Sequence, residues 1–276
     1  MRILISNDDG YQAKGIKQLT KSLSEIAEVI VVAPSENKSA ASSSLTLGRP
    51  LKPIQIEKNI YAVDATPTDC VHLALCGFIK ESIDLVVTGI NFGANLGDDT
   101  IYSGTVAGAI EGRFLGLPSI AMSLASWECN HFETAGEIAK RLVTQIDRSE
   151  LSYNTIINVN VPDIPLSEIQ GIKSTRLGSR HKSEPSIKDK EDTSLYWIGE
   201  NGSEADNSEG TDFHAISNNF VSVTPLQIDT TKQSEVKRGN DGRQKKDNGC
   251  QVGLGPRVFF SSRRRHTRSS TVSWAR

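Results

Sequence analysis

Two adjacent carboxylates near the start of the chain are the strongest candidates for chemistry. Asp8 and Asp9 follow a short apolar run and precede Gly10, a residue type that favours turns. Neighbouring carboxylates repel each other unless a cation lies between or beside them. A divalent ion that takes oxygen ligands, Mg²⁺ or Mn²⁺, is a suitable partner. The alternative is an exposed acidic turn, but a position at the end of a first strand favours the metal.

Three further segments carry oxygen and N–H groups that suit an ion or an anion. Ser39 begins a serine-containing stretch that extends to Ser44. Residues 91–97 alternate Asn and Gly, which would let the backbone approach a ligand closely, although the same composition also fits a long turn. Ser103-Gly104-Thr105 precedes a helical pattern, and its groups could either bind phosphate or form a simple N-cap.

Several common catalytic patterns are absent from the sequence. It contains no G-x-x-x-x-G-K-[ST] phosphate loop, no G-x-G-x-x-G after the first strand and no G-x-S-x-G nucleophile elbow. His72, His131, His181 and His214 are scattered without metal-ligand spacing, which disfavours zinc. The four cysteines form no C-x-x-C pair, which argues against a disulfide scaffold and fits a reducing cytoplasm.

The elements that would position these residues alternate between strands and helices. Apolar runs predict strands at Met1–Asn7, Glu28–Ala33, Asn59–Val63, Ile83–Gly89, Ser119–Leu124 and Thr155–Val161, the last taken as the final core strand. Helical spacing predicts helices at Lys14–Ile26, Thr68–Ile79, Gly104–Leu115 and Thr134–Ile146. This alternation predicts an α/β fold with a parallel sheet covered on both faces. Ligands in such folds bind beyond the carboxyl ends of the strands, so the polar segments should converge on one rim.

Residues 166–222 differ from this pattern. Polar stretches interrupt the strand-like segments Ser194–Ile198 and Phe220–Pro225, which predicts an arm that carries a hairpin.

Composition bounds the remaining possibilities. The chain has 276 residues, of which 37% are hydrophobic, enough for a sizeable core and against wholesale disorder. It contains no run of 18 apolar residues, so no membrane span is expected. Asp8 and Asp9 interrupt the apolar stretch that a signal peptide would need, which again favours the cytoplasm.

The overall charge of −2 hides an asymmetry. Residues 237–276 carry a net charge of +9, and the rest of the chain carries −11. This segment is rich in Gly, Ser, Arg and Lys, and it could be a basic arm that binds nucleic acid. No aromatic platform or folded nucleic-acid motif accompanies the charge, so a disordered or non-native tail is the preferred interpretation, with no nucleic acid bound by the folded domain.

A set of motifs occurs in order over about residues 1–234: I-L-I-S-N-D-D-G at 3–10, V-V-A-P-S-E-N-K-S at 31–39, T-P-T-D-C-V at 66–71, V-V-T-G-I-N-F-G-A-N-L-G-D-D at 86–99, Y-S-G-T-V at 102–106, L-Y-W-I-G at 195–199 and V-S-V-T-P-L at 221–226. In these motifs the sequence resembles the SurE family of survival proteins, which are metal-dependent nucleoside monophosphate phosphatases.

The resemblance implies a fold and a domain organisation. The expected architecture is a Rossmann-like core at about 1–165 and an extended, swapped oligomerisation arm at about 166–236, which together form a phosphatase domain at 1–236. Such arms build homodimers or homotetramers. After Thr231 the chain departs from the family pattern, which normally continues into a closing helix, so the oligomeric state stays open.

The resemblance also implies roles for individual residues. One divalent ion per subunit, Mg²⁺ or Mn²⁺, would bind Asp8, Asp9, Ser39 and Asn91. The phosphate would be held by Asn95, Ser103, Gly104 and Thr105. The implied reaction is hydrolysis of nucleoside 5′-monophosphates to nucleoside and phosphate, with 3′-monophosphates and short polyphosphate as further substrates. Either Asp8 or Asp9 would accept the proton of the attacking water.

Two other classes of protein remain as alternatives. A receiver-like signalling module also has an acidic pair after its first strand, but it needs a phosphoacceptor Asp at the end of a later central strand, where this chain has Gly89-Ile90-Asn91. A protein that binds nucleotides without turnover is the second alternative. Metal-dependent phosphate release would separate the enzyme from both.

Overall fold

The computed structural model describes residues 1–145, 155–232 and 235–236. They divide into one unit at Met1–Asp229 and another that begins at Thr230. The predicted tail at 237–276 lies outside the described residues, as does Ile146 at the end of the predicted fourth helix. No helix in the described part of the chain is long and apolar enough to cross a membrane.

Strands and helices alternate through the first part of the chain. The strands are β1 Arg2–Ser6, β2 Glu28–Pro34, β3 Ile54–Glu57, β4 Ile60–Val63, β5 Leu85–Phe92, β6 Ser119–Ala125, β7 Thr155–Pro162, β8 Ile172–Ser174, β9 Ser179–Arg180, β10 Ile187–Lys188, β11 Tyr196–Trp197, β12 Glu204–Asp206 and β13 Val221–Gln227. The α-helices are α1 Lys14–Ser24, α2 Pro67–Leu73, α3 Gly104–Phe114, α4 Phe132–Gln145 and α5 Asp212–Ser217. A π-helical turn, Ala74–Phe78, continues α2, and 3₁₀ turns span Gly97–Ile101 and Leu166–Glu168.

The central sheet has nine strands in the order β3-β4-β2-β1-β5-β6-β7-β13-β8. The strands from β4 to β7 in this order are parallel to one another. When they are numbered along the chain, their order is 3-2-1-4-5-6, the order of dinucleotide-binding α/β folds. This confirms the predicted Rossmann-like core. β3 and β13 are antiparallel to their neighbours β4 and β7.

Helices cover both faces of the sheet because the buried strands are apolar on both sides. Ile3 and Ile5 of β1 pack into the layer that contains α1 and α4, whereas Leu4 packs into the layer that contains α2. All three side chains are completely buried. Burial of each stabilises the fold by about 1.5–3 kcal/mol, so the strand that leads to Asp8 is firmly anchored.

Two strand predictions need correction. The predicted strand at Ile83–Gly89 extends to Phe92, because its pairing with β6 shifts between Thr88 and Asn91 and then resumes. Asn91 therefore lies within a strand and not in the loop that follows it. The predicted last core strand at Thr155–Val161 is also not the last, since β13 pairs along its whole length and extends the sheet.

The segment predicted as an arm contains the expected hairpin. β10 and β11 pair antiparallel, with Ile187 opposite Trp197. The same segment returns to the sheet through β8 and β13, which the sequence analysis assigned to the arm and not to the core. Its α5 is fixed by an N-cap, because the Thr211 side chain accepts a hydrogen bond from the N–H of His214.

Candidate metal and phosphate site

The candidate site lies where the strand order reverses. β1 and β5 are neighbours and parallel, yet their connections leave on opposite sides of the sheet, which opens a crevice at their carboxyl ends. Asp8 and Asp9 follow β1 directly, and Asn91 lies near the end of β5. The topology therefore brings together the residues that the sequence analysis placed on one rim.

Asp8 is buried against the beginning of α3. Its carboxylate Oδ1 accepts a hydrogen bond of 2.6 Å from the Thr105 hydroxyl. A Cβ atom at Gly104 would lie 2.8 Å from Asp8 Oδ2, so only glycine permits this approach of the helix. Burial raises the pKa of Asp8, although the Thr105 hydroxyl and the N–H groups of Thr105 and Gly104 counteract this by favouring the carboxylate.

Asp9 occupies a more open position beside the end of β5. Its Oδ2 accepts a hydrogen bond of 3.0 Å from the backbone N–H of Phe92. Burial, followed by repulsion from the Asp8 carboxylate, raises the pKa of Asp9 to about 6. The two carboxylates thus share one environment in which a second negative charge is unfavourable.

In the described part of the chain, no positively charged side chain forms an ion pair with Asp8 or Asp9. The ion pairs found among the described residues do not include Asp8 or Asp9. Nearby, the Oδ1 atom of Asn7 is buried and has no hydrogen-bond partner in the described structure. Two uncompensated carboxylates beside an unpaired amide oxygen form a donor set that fits a hard divalent cation.

The two uncharged candidate ligands, Ser39 and Asn91, differ in burial and in hydrogen bonding. The backbone N–H of Lys38 donates a 2.7 Å hydrogen bond to the Asp8 carbonyl, which holds the loop after β2 against the loop after β1. Ser39 follows, exposed, with its own N–H bonded to Asn37 Oδ1 at 2.7 Å. Asn91 is buried, and its Nδ2 donates to the Gly93 carbonyl at 2.9 Å, which leaves Oδ1 as the ligating atom.

The candidate phosphate-binding residues lie on the β5–α3 loop (residues 93–103) and at the beginning of α3. The Ser103 hydroxyl caps α3 by accepting a 3.0 Å hydrogen bond from the Val106 N–H, and its phosphate-binding role stays a prediction. The Thr105 hydroxyl and the helix N–H groups are directed at Asp8. Asn95 donates its Nδ2 to Ser123 Oγ at 2.8 Å. Ser123 lies opposite Asn91 in the sheet, so Asn95 is held close to the metal-ligand candidates.

A cleft of about 310 Å³ adjoins the Asp9 carboxylate. Its lining combines aromatic, apolar and polar groups, namely Asp9, Ala13, Lys14, Gly15, Asn37, Phe92, Glu128, Cys129 and Phe132. The cleft is the size of a small-molecule site, and one of its walls carries a ligand candidate.

Among the described residues, Cys129 lines the cleft beside Asp9, whereas no histidine does. His72 pairs with Glu111, and His131 pairs with Asp163. Among the described residues, no group of three or more His, Cys, Asp and Glu side chains could hold a metal ion. The combination of the Asp8–Asp9 pair with neutral oxygens stays a prediction from the sequence.

The sequence analysis missed several side chains that support the site. Asn158, Asn160 and Asp212 contact the β5–α3 loop directly from β7 and α5. The signal for the first two is present in the sequence, because the alternation N-V-N places two amides on one face of an otherwise apolar strand. No local pattern connects Asp212 with a loop more than a hundred residues earlier.

Comparison with known proteins shows the family of the chain. Residues 3–184 match the family model described as Survival protein SurE. The chain belongs to the SurE family. The resemblance predicted from the motifs is thereby confirmed.

Relatives in the SurE family match the chain over most of its length. A protein named 5′-nucleotidase SurE from Ruthia magnifica subsp. Calyptogena magnifica is 71% identical over 236 residues, which cover 86% of this chain and 96% of that relative. A protein of the same name from Legionella pneumophila (strain Lens) is 56% identical over 233 residues, 84% of this chain and 92% of the relative. The crystal structure of a SurE protein from Aquifex aeolicus has a TM-score of 0.78 and 40% identity, and the match covers 88% of this chain and all of that chain.

Proposed function

We propose that this chain is a metal-dependent 5′-nucleotidase that hydrolyses nucleoside 5′-monophosphates to nucleoside and phosphate. The observation that carries the proposal is the buried Asp8 carboxylate at the point where the strand order reverses, which lies beside Asp9 and has no cationic partner among the described residues. Similarity to proteins named 5′-nucleotidase SurE supports the reaction type.

One divalent ion, Mg²⁺ or Mn²⁺, would be held by Asp8, Asp9, Ser39 and Asn91. When bound, such an ion polarises a phosphoryl group and lowers the pKa of a coordinated water. Thr105 and Gly104 keep the Asp8 carboxylate in one orientation through the contacts described above. The β5–α3 loop presents Asn95 toward the phosphate, and Ser103 fixes the beginning of α3 by capping it.

Asp9 is the better candidate to accept the proton of the attacking water. The Asp8 carboxylate is bonded to Thr105, whereas Asp9 lines the cleft, where a carboxylate can meet the attacking water. The cleft beside Asp9 would hold the nucleoside, with the exposed Phe92 ring on its wall.

We extend the proposal to further properties expected of the family. Nucleoside 3′-monophosphates and short polyphosphate are additional substrates, the protein works in the cytoplasm, and its arm joins subunits into a homodimer or homotetramer. A receiver-like function is disfavoured, because β5 ends in Asn91 and Phe92 where a phosphoacceptor Asp would be needed.

The test is phosphate release from a panel of nucleoside 5′- and 3′-monophosphates, with Mn²⁺ or Mg²⁺ and with a chelator. The Asp8→Asn variant serves as the site variant. Asp84→Asn is the matched control, because Asp84 is exposed and belongs to the opposite end of β5, where it accepts the Arg2 N–H. Release that persists in chelator or in Asp8→Asn contradicts the metal assignment, and binding without release favours the nucleotide-binding alternative.

A further inference from the structure

At Asn95, the β5–α3 loop is held in place by hydrogen bonds to side chains and not by strand pairing. The Asn95 N–H donates to Asn160 Oδ1 at 2.8 Å. The Asn95 carbonyl accepts from Asn160 Nδ2 at 3.0 Å and from Asn158 Nδ2 at 2.9 Å. Both the backbone N–H and the backbone carbonyl of Asn95 are therefore bonded to side-chain amides of β7.

These amides are unusual for a central strand. Asn is depleted in strands, and both Asn158 and Asn160 are completely buried in β7. In addition, the Oδ1 atom of Asn158 has no hydrogen-bond partner within the described part of the chain, which is unfavourable for folding. Residues that are costly to bury and that converge on a single loop residue indicate a role for that contact.

A second contact holds the loop two residues further along. The completely buried Asp212 carboxylate accepts the Gly97 N–H at 2.7 Å through Oδ2 and the Gly178 N–H at 2.8 Å through Oδ1. Gly97 has a φ of +51°, and a Cβ there would lie 2.6 Å from the Phe213 ring. The loop thus fits tightly against α5 and has little room to shift.

We propose that Asn160 and Asp212 are positioning residues that hold Asn95 in its phosphate-binding orientation. The inference rests on the proposed function, because it uses the assignment of Asn95 to the phosphate. Neither residue touches the substrate: both act on the backbone of the loop, and the Asn95 side chain is then set by Ser123. Displacement of a substrate-positioning group by about 1 Å is enough to lower the rate of an enzyme roughly a hundredfold.

The test uses the full chain with two variants that preserve side-chain size. Asn160→Asp keeps the oxygen that accepts the Asn95 N–H but replaces the Nδ2 donor with an oxygen that repels the Asn95 carbonyl. Asp212→Asn removes one of the acceptor oxygens. Ser119→Ala is the control, because Ser119 is buried at the beginning of β6, at the opposite end of the sheet, and its hydroxyl donates to the Leu117 carbonyl at 3.1 Å, so this variant loses a buried hydrogen bond away from the loop.

Four quantities are measured for each variant: kcat and KM with adenosine 5′-monophosphate, the Kd of inorganic phosphate by calorimetry, the Kd of Mn²⁺ and the thermal midpoint. For Asn160→Asp and Asp212→Asn we expect phosphate to bind roughly tenfold more weakly and kcat/KM to fall roughly 10–100-fold. The Kd of Mn²⁺ should stay within about twofold, because the proposed metal ligands are untouched. A purely structural role would lower only the thermal midpoint, as expected for Ser119→Ala.

A double variant tests whether the effect passes through Asn95. In an Asn95→Ala background, Asn160→Asp should weaken phosphate binding no further, since the side chain that it positions is gone. Additive effects would overturn the proposal, and so would an unchanged Kd of inorganic phosphate in folded Asn160→Asp. A parent chain that binds phosphate but releases none from nucleotides contradicts the proposed function, while the comparison of phosphate binding still tests the positioning.

Hydrogen exchange on the unmodified chain covers the case in which the variants fail to fold. The amide protons of Asn95 and Gly97 should exchange slowly, because buried side chains accept them. Rapid exchange of these two amides, at rates typical of an open loop, would overturn the proposal without any substitution.

Discussion

The Thr105 hydroxyl donates a 2.6 Å hydrogen bond to Asp8 Oδ1 and joins the beginning of α3 to the loop after β1. Residues 97 positions apart in the sequence thereby share one buried contact. The bond leaves the second Asp8 oxygen, Oδ2, pressed against Gly104. The beginning of α3 therefore fixes the orientation of the Asp8 carboxylate. Substitutions in α3 can alter this orientation without changing Asp8 itself.

The first prediction concerns this hydrogen bond. Thr105→Val preserves the shape of the side chain but leaves Asp8 without its side-chain donor, so we expect kcat/KM to fall roughly 10–100-fold, as for other groups that orient metal ligands. Thr105→Ser keeps the hydroxyl and should retain most activity. Equal activities for the two variants would contradict the orienting role, and nucleotide hydrolysis with saturating Mn²⁺ measures them.

The second prediction concerns the space at Gly104. Gly104→Ala places a methyl group 2.8 Å from the Asp8 carboxylate, and overpacking of this kind lowers the free energy of unfolding by about 1–3 kcal/mol. We also expect weaker Mn²⁺ binding, because the carboxylate must move. Gly48→Ala is the control, since nothing lies within 4 Å of a Cβ at that position. Urea unfolding and calorimetric metal titration provide the two measurements, and parent-like results for Gly104→Ala would count against the tight packing.

The third prediction concerns the metal itself. Asp8→Asn removes one of two charged ligands, so the affinity for Mn²⁺ should fall roughly a hundredfold or more and hydrolysis should fall with it. In the metal-free protein the same change relieves repulsion with Asp9, and the fold should be at least as stable as the parent near pH 7. Circular dichroism and metal titration distinguish loss of the ligand from loss of the fold. A variant that binds Mn²⁺ as the parent does would refute the assignment.

The fourth prediction concerns pH and metal-free stability. The pKa of Asp9 rises from its ordinary value of 3.8 to about 6 in the folded chain, so the folded state binds the proton more tightly than the unfolded state. This contribution is complete below pH 4 and is lost as the pH rises through 6. Asp9→Asn does not titrate and should therefore become more stable than the parent by up to about 3 kcal/mol above pH 6.

Urea unfolding in chelator between pH 4 and pH 8 measures this difference. Near pH 4 the parent and Asp9→Asn should have similar free energies of unfolding, because both side chains are then neutral. Parallel stability curves across the whole range would show that Asp9 has an ordinary pKa. Glu57→Gln, a change on the exposed edge strand β3, is a control for removal of a carboxylate from the surface.

The core of the fold was predictable because its signals are local. Apolar runs and helical spacing identified the parallel strands and α1 to α4, with ends that differ by a few residues. The continuation of β5 past Gly89 was not predictable, because the shifted register with β6 depends on contacts between strands. β13 was assigned to the arm for a similar reason: a strand of mixed polarity joins the sheet only through its long-range pairing with β7.

The candidate site was predictable to the extent that its residues follow strands directly. Asp8 and Asp9 illustrate this, since any parallel sheet places the residues after β1 at the rim. The roles of Thr105 and Ser103 were not separable from the sequence, because both are hydroxyls at a helix start and only the structure assigns one to Asp8 and the other to the cap. The contact between Asp212 and Gly97 depends entirely on tertiary structure.

The antiparallel pairing of β13 with β7 has a consequence for shortened forms of the protein. A chain cut anywhere between Pro162 and Val221 would keep every proposed metal ligand, yet it would leave the N–H and C=O groups of β7 without their outer neighbour. Unprotected strands of this kind recruit other chains and promote aggregation. The smallest well-behaved fragment therefore ends no earlier than Gln227, well beyond the last residue of the site.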